Sequence, residues 1–254
     1  MVYFKHQSAR TNALANVDFG VHRGETVAFV GPSGSGKSTL LRVAAGLLEP
    51  ETGQVLINGT DVTGRPTHQR NVGMVFQDQQ LFPHLDVAAN VFLGREAVRA
   101  QLGPIRVMDK RHMEQETQRL LDRLKIDISS VRLKVENLSG GQRQSVAIAR
   151  ATAFNAKVII MDEPTAALGV AETAQVENII RAIKQNGEPL ILISHNMNDV
   201  MQVADYVACL YLGQMAAQVP VGSVNHSTIV ELITTGRSGE MGLQPEIAAA
   251  GGVV

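Results

Sequence analysis

Gly31-Pro32-Ser33-Gly34-Ser35-Gly36-Lys37-Ser38-Thr39 matches the pattern G-x-x-x-x-G-K-[ST] and decides how the rest of the chain is read. Before it runs Val27-Ala28-Phe29-Val30, an apolar stretch with the length of a buried strand. After it, Leu40-Leu41-Arg42-Val43-Ala44-Ala45 has the spacing of an amphipathic helix. A loop between strand and helix can wrap its backbone N–H groups around a phosphate chain, and the helix N-terminus adds the positive end of its dipole. Gly34 and Gly36 let the backbone curl this closely. Lys37 is expected to reach the terminal phosphates and Ser38 a bound Mg²⁺. A Gly/Ser turn can match the pattern by chance. The strand before it and the helix after it select a nucleotide phosphate site running from Gly31 to Thr39.

The chain has 254 residues, enough for one large domain or a core with a subdomain. Hydrophobic residues make up 44% and charged residues 19%, ordinary for a packed globular protein. A net charge of −1 gives no support to a nucleic-acid partner or an anionic membrane surface. No uninterrupted apolar run reaches the roughly 18–20 residues of a membrane span. Met1-Val2-Tyr3-Phe4-Lys5-His6 does not read as a secretory signal, because no long apolar core follows. The expectation is a cytoplasmic protein whose membrane role, where it has one, comes through a partner. The lone Cys209, within Val207-Ala208-Cys209-Leu210, reads as a buried strand residue in a reducing compartment.

Along the chain, residues 1–24 suggest short strands ending in the alternating Asn16-Val17-Asp18-Phe19-Gly20-Val21. Gln54 to Gly59 and Val72 to Gln77 read as further strands. From about 84 to 150 the texture is helical, with Met113, Leu120, Leu121 and Leu124 on one face of a helix capped by Asp109. Beyond 155, Val158-Ile159-Ile160-Met161 and Leu190-Ile191-Leu192-Ile193 are too apolar for a one-sided sheet. Between them lies a helix with Val176, Ile179, Ile180 and Ile183 inward, and Tyr206 to Leu212 reads as a third late strand. The fold class expected is α/β with a mostly parallel sheet. It forms one domain over 1–254: a core with an antiparallel β subdomain over about 1–83 and 151–235, a helical subdomain over about 84–150, and a flexible tail over 236–254.

Ligands of such sheets bind at the carboxyl ends of the strands, and the chemical residues cluster there. Asp162-Glu163 follows a buried strand beside the phosphate loop. Asp162 suits a Mg²⁺ ligand and Glu163 a group that orients and polarises an attacking water. His195 ends another strand, where an imidazole can donate to a γ-phosphate or to that water. Gln77 ends the Val72 strand and can reach Mg²⁺ or the same water. Leu138-Ser139-Gly140-Gly141-Gln142 opens a helix with exposed N–H groups and a hydroxyl, a second anion site. Two phosphate-binding ends that cannot meet within one chain are expected to meet between chains, with ATP held in a head-to-tail pair.

Gly31 to Thr39, Gln77, Leu138 to Gln142, Met161-Asp162-Glu163 and His195, in this order, resemble the nucleotide-binding subunit of an ATP-binding cassette (ABC) transporter over about residues 10–235. The resemblance implies a P-loop NTPase core and a helical subdomain that carries the signature motif. It also implies ATP and Mg²⁺ as cofactors, hydrolysis to ADP and phosphate, and a homodimer or paired subunit on the cytoplasmic face of the inner membrane. Separate permease subunits would dock on about residues 78–96. Asn90 to Glu96, Glu163 to Val170 and Ile193 to Met197 are similar to ATPases of ribose-, xylose- and fructose-type importers. That implies a monosaccharide cargo delivered by a periplasmic sugar-binding protein. An exporter ATPase and a soluble, non-transport ABC ATPase stay open. Two positions depart from the family pattern. Gly169 stands where the D-loop usually carries Asp, and Tyr3 and Phe4 are the only candidates for the aromatic that stacks on adenine.

Overall fold

The computed structural model describes residues 2–3, 13–102 and 105–243. Six strands form the central sheet: β1 (Thr26–Val30), β2 (Val72–Val75), β3 (Val158–Asp162), β4 (Leu190–Ile193), β5 (Tyr206–Tyr211) and β6 (Gln214–Pro220). Their spatial order is β6-β5-β1-β4-β3-β2, every pair parallel except β5 with β6. Because the pairing is parallel and in register, Phe29, Ile193 and Asp162 stand in one row across the sheet. The last residues of β1, β4 and β3 therefore share one edge.

The continuous apolar runs of these strands are explained by two cores, one on each face. Ala28, Val30, Ile159, Met161, Leu190, Leu192 and Cys209 point into the larger. It is completed by helices α2 (Val87–Val91), α3 (Lys110–Arg123), α4 (Gly140–Thr152), α5 (Val170–Gln185), α6 (Met197–Val203) and α7 (His226–Thr235). The alternate residues Val27, Phe29, Ile160, Ile191 and Ile193 point into the smaller, which is closed by α1 (Lys37–Ala45) and by Leu14 and Val17. Alternation by strand pleat, with both faces covered, is what a parallel sheet requires.

Local signals place the helices. The Asp109 carboxylate accepts from His112 N–H, and Met113, Leu120, Leu121 and Leu124 are buried on one side of the helix it caps. On α5, Val176, Ile179, Ile180 and Ile183 face the core, and Gly187 follows in a left-handed conformation. Cys209 is buried, and burial pushes its thiol up to about 12, so it stays a protonated packing group.

Two readings of the sequence need correction. Asn16 to Val21 forms no strand: Val17 makes a single bridge, and the alternation records which side chains face α1 rather than a ladder. The stretch from 84 to 150 is not wholly helical, since Val98–Leu102 pairs antiparallel with Ile105–Met108. The β-branched residues on either side of Gly103-Pro104 carried that signal. The antiparallel elements before β2 are two-residue pairs, Val2–Tyr3 with Thr52–Gly53 and Leu56–Ile57 with Thr60–Asp61. The flexible tail expected over 236–254 begins as structure: Arg237–Ser238 pairs antiparallel with Met241–Gly242, and Leu243 packs against the larger core, while Phe4 and residues 244–254 lie outside the described residues.

Leu192 on the central strand is 1% exposed and packs with both flanking strands' inward residues. Leu192→Ala is expected to cost about 2–5 kcal/mol, read as a lower urea midpoint at unchanged slope.

Candidate functional site

The phosphate loop leaves β1 at Val30 and enters α1 at Lys37. Gly34 and Gly36 have φ of +81° and +98°, which L side chains rarely adopt. At Gly36 there is also no room: a Cβ would lie 2.5 Å from Leu14 Cδ2 and 2.8 Å from the Ala13 carbonyl oxygen. The Lys37 ammonium turns back across the loop, donating to the carbonyl oxygens of Gly31 at 2.7 Å and Pro32 at 2.9 Å and to Ser35 Oγ at 3.3 Å. Burial lowers the Lys37 pKa, and the charges of Glu163 and Asp162 oppose that. A phosphate oxygen is a stronger acceptor for this ammonium than two neutral carbonyls.

Facing the loop, a cavity of 330 Å³ is lined by Ser33, Gly34, Gly36, Lys37, Ser38 and Thr39 together with Gln77, Asp162, Glu163 and His195. These come from the carboxyl ends of four parallel strands. Glu163 sits at φ +51° just beyond β3, and its N–H donates to the Ile193 carbonyl at 3.0 Å, which extends the pairing with β4 by one residue. Its Oε1 lies 3.0 Å from His195 Nε2, and its Oε2 accepts from the His195 N–H at 3.3 Å. The carboxylate is 13% exposed and the imidazole 61%, so the acid is fixed and the imidazole reaches outward. Burial raises the pKa of Glu163, partly offset by His195, and burial likewise raises Asp162 against the pull of Arg42, Lys37 and His195. Two half-desolvated carboxylates opposite a buried ammonium suit a magnesium–polyphosphate ligand. A larger cavity of 470 Å³ on the α1 face is lined by Val17, Phe19, Leu40, Val43 and Ile160 and receives none of these groups.

The Ser139 helix does not line this cavity. Ser139 is the N-cap of α4: its Oγ accepts from Gln142 N–H at 3.2 Å, and Gln142 Oε1 accepts from Ser139 N–H at 3.1 Å. The second glycine behaves differently from the sequence expectation of an exposed N–H. Gly141 is buried, and its N–H donates to Glu172 Oε1 at 3.1 Å. The other oxygen of Glu172 accepts from Gly169 N–H at 3.2 Å, capping α5.

Three further contacts were missed by sequence reasoning. Arg150, at the far end of α4, donates to the carbonyls of Gln80 at 2.8 Å and Gln79 at 3.5 Å, tying α4 to the loop after Gln77. Gln79 Nε2 reaches the Gly140 carbonyl at 3.5 Å. Thr165 Oγ1 donates to the buried Asp199 at 2.7 Å, tying the segment after Glu163 to the helix after His195. Glu172 had one local signal, its place three residues after a helix N-cap; the others join distant segments and had none. Tyr3 lies in a two-residue strand opposite Thr52, and no adenine-stacking residue is assigned.

A parallel α/β sheet with a P-loop, an acidic pair and a histidine at its strand ends defines a nucleotide-binding ATPase of the P-loop class. The family model described as "ABC transporter" matches residues 14–166, and the chain belongs to that family. It is 38% identical over 234 residues to a xylose/arabinose import ATP-binding protein of Sulfolobus acidocaldarius, covering 91% of each chain. It is 38% identical over 231 residues to a fructose import ATP-binding protein of Rhizobium meliloti, covering 89% of each. A ribose import ATP-binding protein of Caldanaerobacter subterraneus is 35% identical over 223 residues, 87% of this chain and 44% of that one. Among solved structures, the dimer of MJ0796, a bacterial ABC transporter cassette, superposes with a TM-score of 0.72 at 27% identity, over 87% of this chain and 96% of that one.

The two loop glycines separate strain from collision. Gly34→Ala, with nothing within 4 Å of the new Cβ, is expected to lose about 1–2 kcal/mol from its left-handed backbone. Gly36→Ala, which also collides with Leu14 and Ala13, is expected to lose more in the same thermal-unfolding assay.

Proposed function

We propose that this chain is the ATP-hydrolysing subunit of a monosaccharide importer, working as a head-to-tail dimer on the cytoplasmic face of the inner membrane. The observation that carries the reading is the meeting of Lys37, Asp162, Glu163 and His195 in one cavity at the strand ends. The cargo class is supported by the names of the relatives, which import xylose or arabinose, fructose and ribose.

In this reading Lys37 neutralises the terminal phosphates, and the loop amides from Gly31 to Thr39 hold the chain of oxygens. Glu163 accepts a hydrogen bond from the attacking water and orients it toward the γ-phosphorus. His195, held by Glu163 through its backbone N–H, turns its ring N–H from the Glu163 carboxylate to a γ-phosphate oxygen as charge gathers there. Ser38, Gln77 and Asp162 would hold Mg²⁺, which would supply positive charge against the phosphate oxygens. The fit rests on Asp162, whose carboxylate lines the cavity and is raised in pKa by burial, a cost that a cation relieves. Ser139, Gly140, Gly141 and Gln142 would meet the nucleotide of the partner subunit, since they lie outside their own chain's cavity.

The permease would dock on about residues 78–96. A cavity of 430 Å³ supports this: Leu85, Ala88, Leu93, Met108 and Met113 give it an apolar floor, with Glu114, Arg132 and Lys134 at its rim. No helix among the described residues is long and apolar enough to cross a membrane, so the path would belong to that partner, and the sugar-binding protein would act through it. A pull-down from detergent-solubilised host membranes is expected to bring a polytopic subunit and a sugar-binding protein. A membrane subunit alone favours an exporter, and soluble partners alone overturn transport.

Glu163→Gln is expected to lower turnover by about 10²–10⁴-fold while keeping ATP affinity, measured by phosphate release and by calorimetry. Because burial raises the pKa of Glu163, the acid limb of the wild-type kcat profile lies above the ordinary glutamate range, and activity is lost as pH falls through it. His195→Ala removes the neighbour that holds this pKa down, so the residual activity is expected to fall off at a higher pH. An unmoved limb would assign the titration to another group.

A further inference from the structure

The Glu172 carboxylate joins two helix N-termini, reaching back to Gly141, 31 residues earlier in the chain. One oxygen takes the Gly141 N–H in the first turn of α4, and the other takes the Gly169 N–H that opens α5. These two backbone donors, with the Ser139 hydroxyl and Arg143 nearby, hold the Glu172 carboxyl below the usual glutamate range, so it is an anion at neutral pH. Its stem packs against the same glycine. A Cβ at Gly141 would lie 2.8 Å from Glu172 Cγ and 2.9 Å from its Cβ, so the second glycine of Leu-Ser-Gly-Gly-Gln makes room for this side chain.

The contact has a consequence for an incoming phosphate. Of the first-turn amides of α4, Gln142's is taken by Ser139 Oγ and Gly141's by Glu172. An anion reaching this helix end meets a carboxylate already seated on one of its donors. Glu172 is only partly buried, and one of its two oxygens can leave Gly141 while the other keeps the α5 cap. Gly169 itself offers no side chain to compete for either position.

We propose that Glu172 is a positioning residue that stands in for the partner's nucleotide phosphate: it holds the Gly141 N–H in the separate chain and gives it up to a terminal phosphate oxygen when two chains close on ATP. The exchange is of one charge-assisted hydrogen bond for another, with no covalent step. It raises the ATP concentration needed for closure and keeps the α4 terminus ordered in the absence of a partner. This rests on the head-to-tail dimer proposed above.

The test uses the full chain carrying Glu163→Gln, titrated with Mg-ATP, with the dimer fraction read by sedimentation velocity. Adding Glu172→Asp keeps the charge but shortens the reach by one methylene; adding Glu172→Gln keeps the reach but removes the charge. Both can still accept from Gly169 N–H, and thermal unfolding reports whether either has lost its fold. The ATP concentration at half-dimerisation is expected to fall about three- to tenfold in both. A merely structural cap would leave it unchanged or raise it, and either result overturns the proposal. A fall with Gln but not Asp would show simple charge repulsion and overturn it as well. If the Glu163→Gln parent itself shows no ATP-dependent dimer, the head-to-tail reading fails first, before Glu172 is changed.

Discussion

The parallel pairing of Val158–Asp162 with Leu190–Ile193 carries the nucleotide site. Register places Asp162 opposite Ile193, and the Glu163 N–H extends that ladder to the Ile193 carbonyl at 3.0 Å. One residue beyond Asp162 and two beyond Ile193, Glu163 and His195 then emerge side by side. The neighbouring pair, β1 with β4, sets Phe29 opposite Ile193 and so delivers the phosphate loop to the same edge. A slip of one residue in either pairing would turn Ile160 and Ile191 toward the wrong core and carry the acidic pair away from Lys37. The cost of slipping is the burial of the apolar side chains on both faces, which is why chemistry at this edge can rely on strands built almost wholly of apolar side chains.

Desolvation then sets the chemical character of the groups delivered. Lys37, Asp162 and Glu163 are all shifted by burial toward their neutral forms, and each is partly restored by opposite charges close by. In isolation this arrangement is poorly satisfied, with Lys37 spending its donors on loop carbonyls and a hydroxyl. A polyphosphate with its metal supplies both signs of charge at once. The same low-dielectric setting makes Glu163 a better acceptor for a water proton than an exposed glutamate.

Much of this was legible in the sequence because the signals were local. The phosphate loop announces itself by spacing, and β3 and β4 by apolar runs that only a sheet covered on both faces can bury. The placing of Asp162, Glu163 and His195 followed from counting to the end of each run. Asn16 to Val21 misled because alternation shows which side chains face inward and not whether the backbone finds a partner strand. The hairpin of Val98–Leu102 was hidden by the helical segments around it. Arg150 and Asp199 were out of reach for a different reason. Each is a polar residue in an otherwise ordinary helix, and its partner, a loop carbonyl or the Thr165 hydroxyl, is 34 to 71 residues away.

These long-range polar contacts connect the strand-end residues to the rest of the molecule. Gln77 leads into Gln79 and Gln80, whose carbonyls Arg150 holds from the far end of α4, while Gln79 touches Gly140 at the near end. From the first turn of α4, Gly141 passes to Glu172 and α5, and the segment before α5 is held by Thr165 to Asp199 beside His195. These hydrogen bonds, all but the Thr165–Asp199 one involving a backbone group, lie at loop and helix ends, where small shifts are cheap, and outside the two packed cores, where they are not. A sheet that fixes the groups at its strand ends and a hydrogen-bonded rim that can be rearranged are separate parts of the structure. In the dimer proposed above, the rim is the part that would register whether a second chain and its nucleotide have arrived.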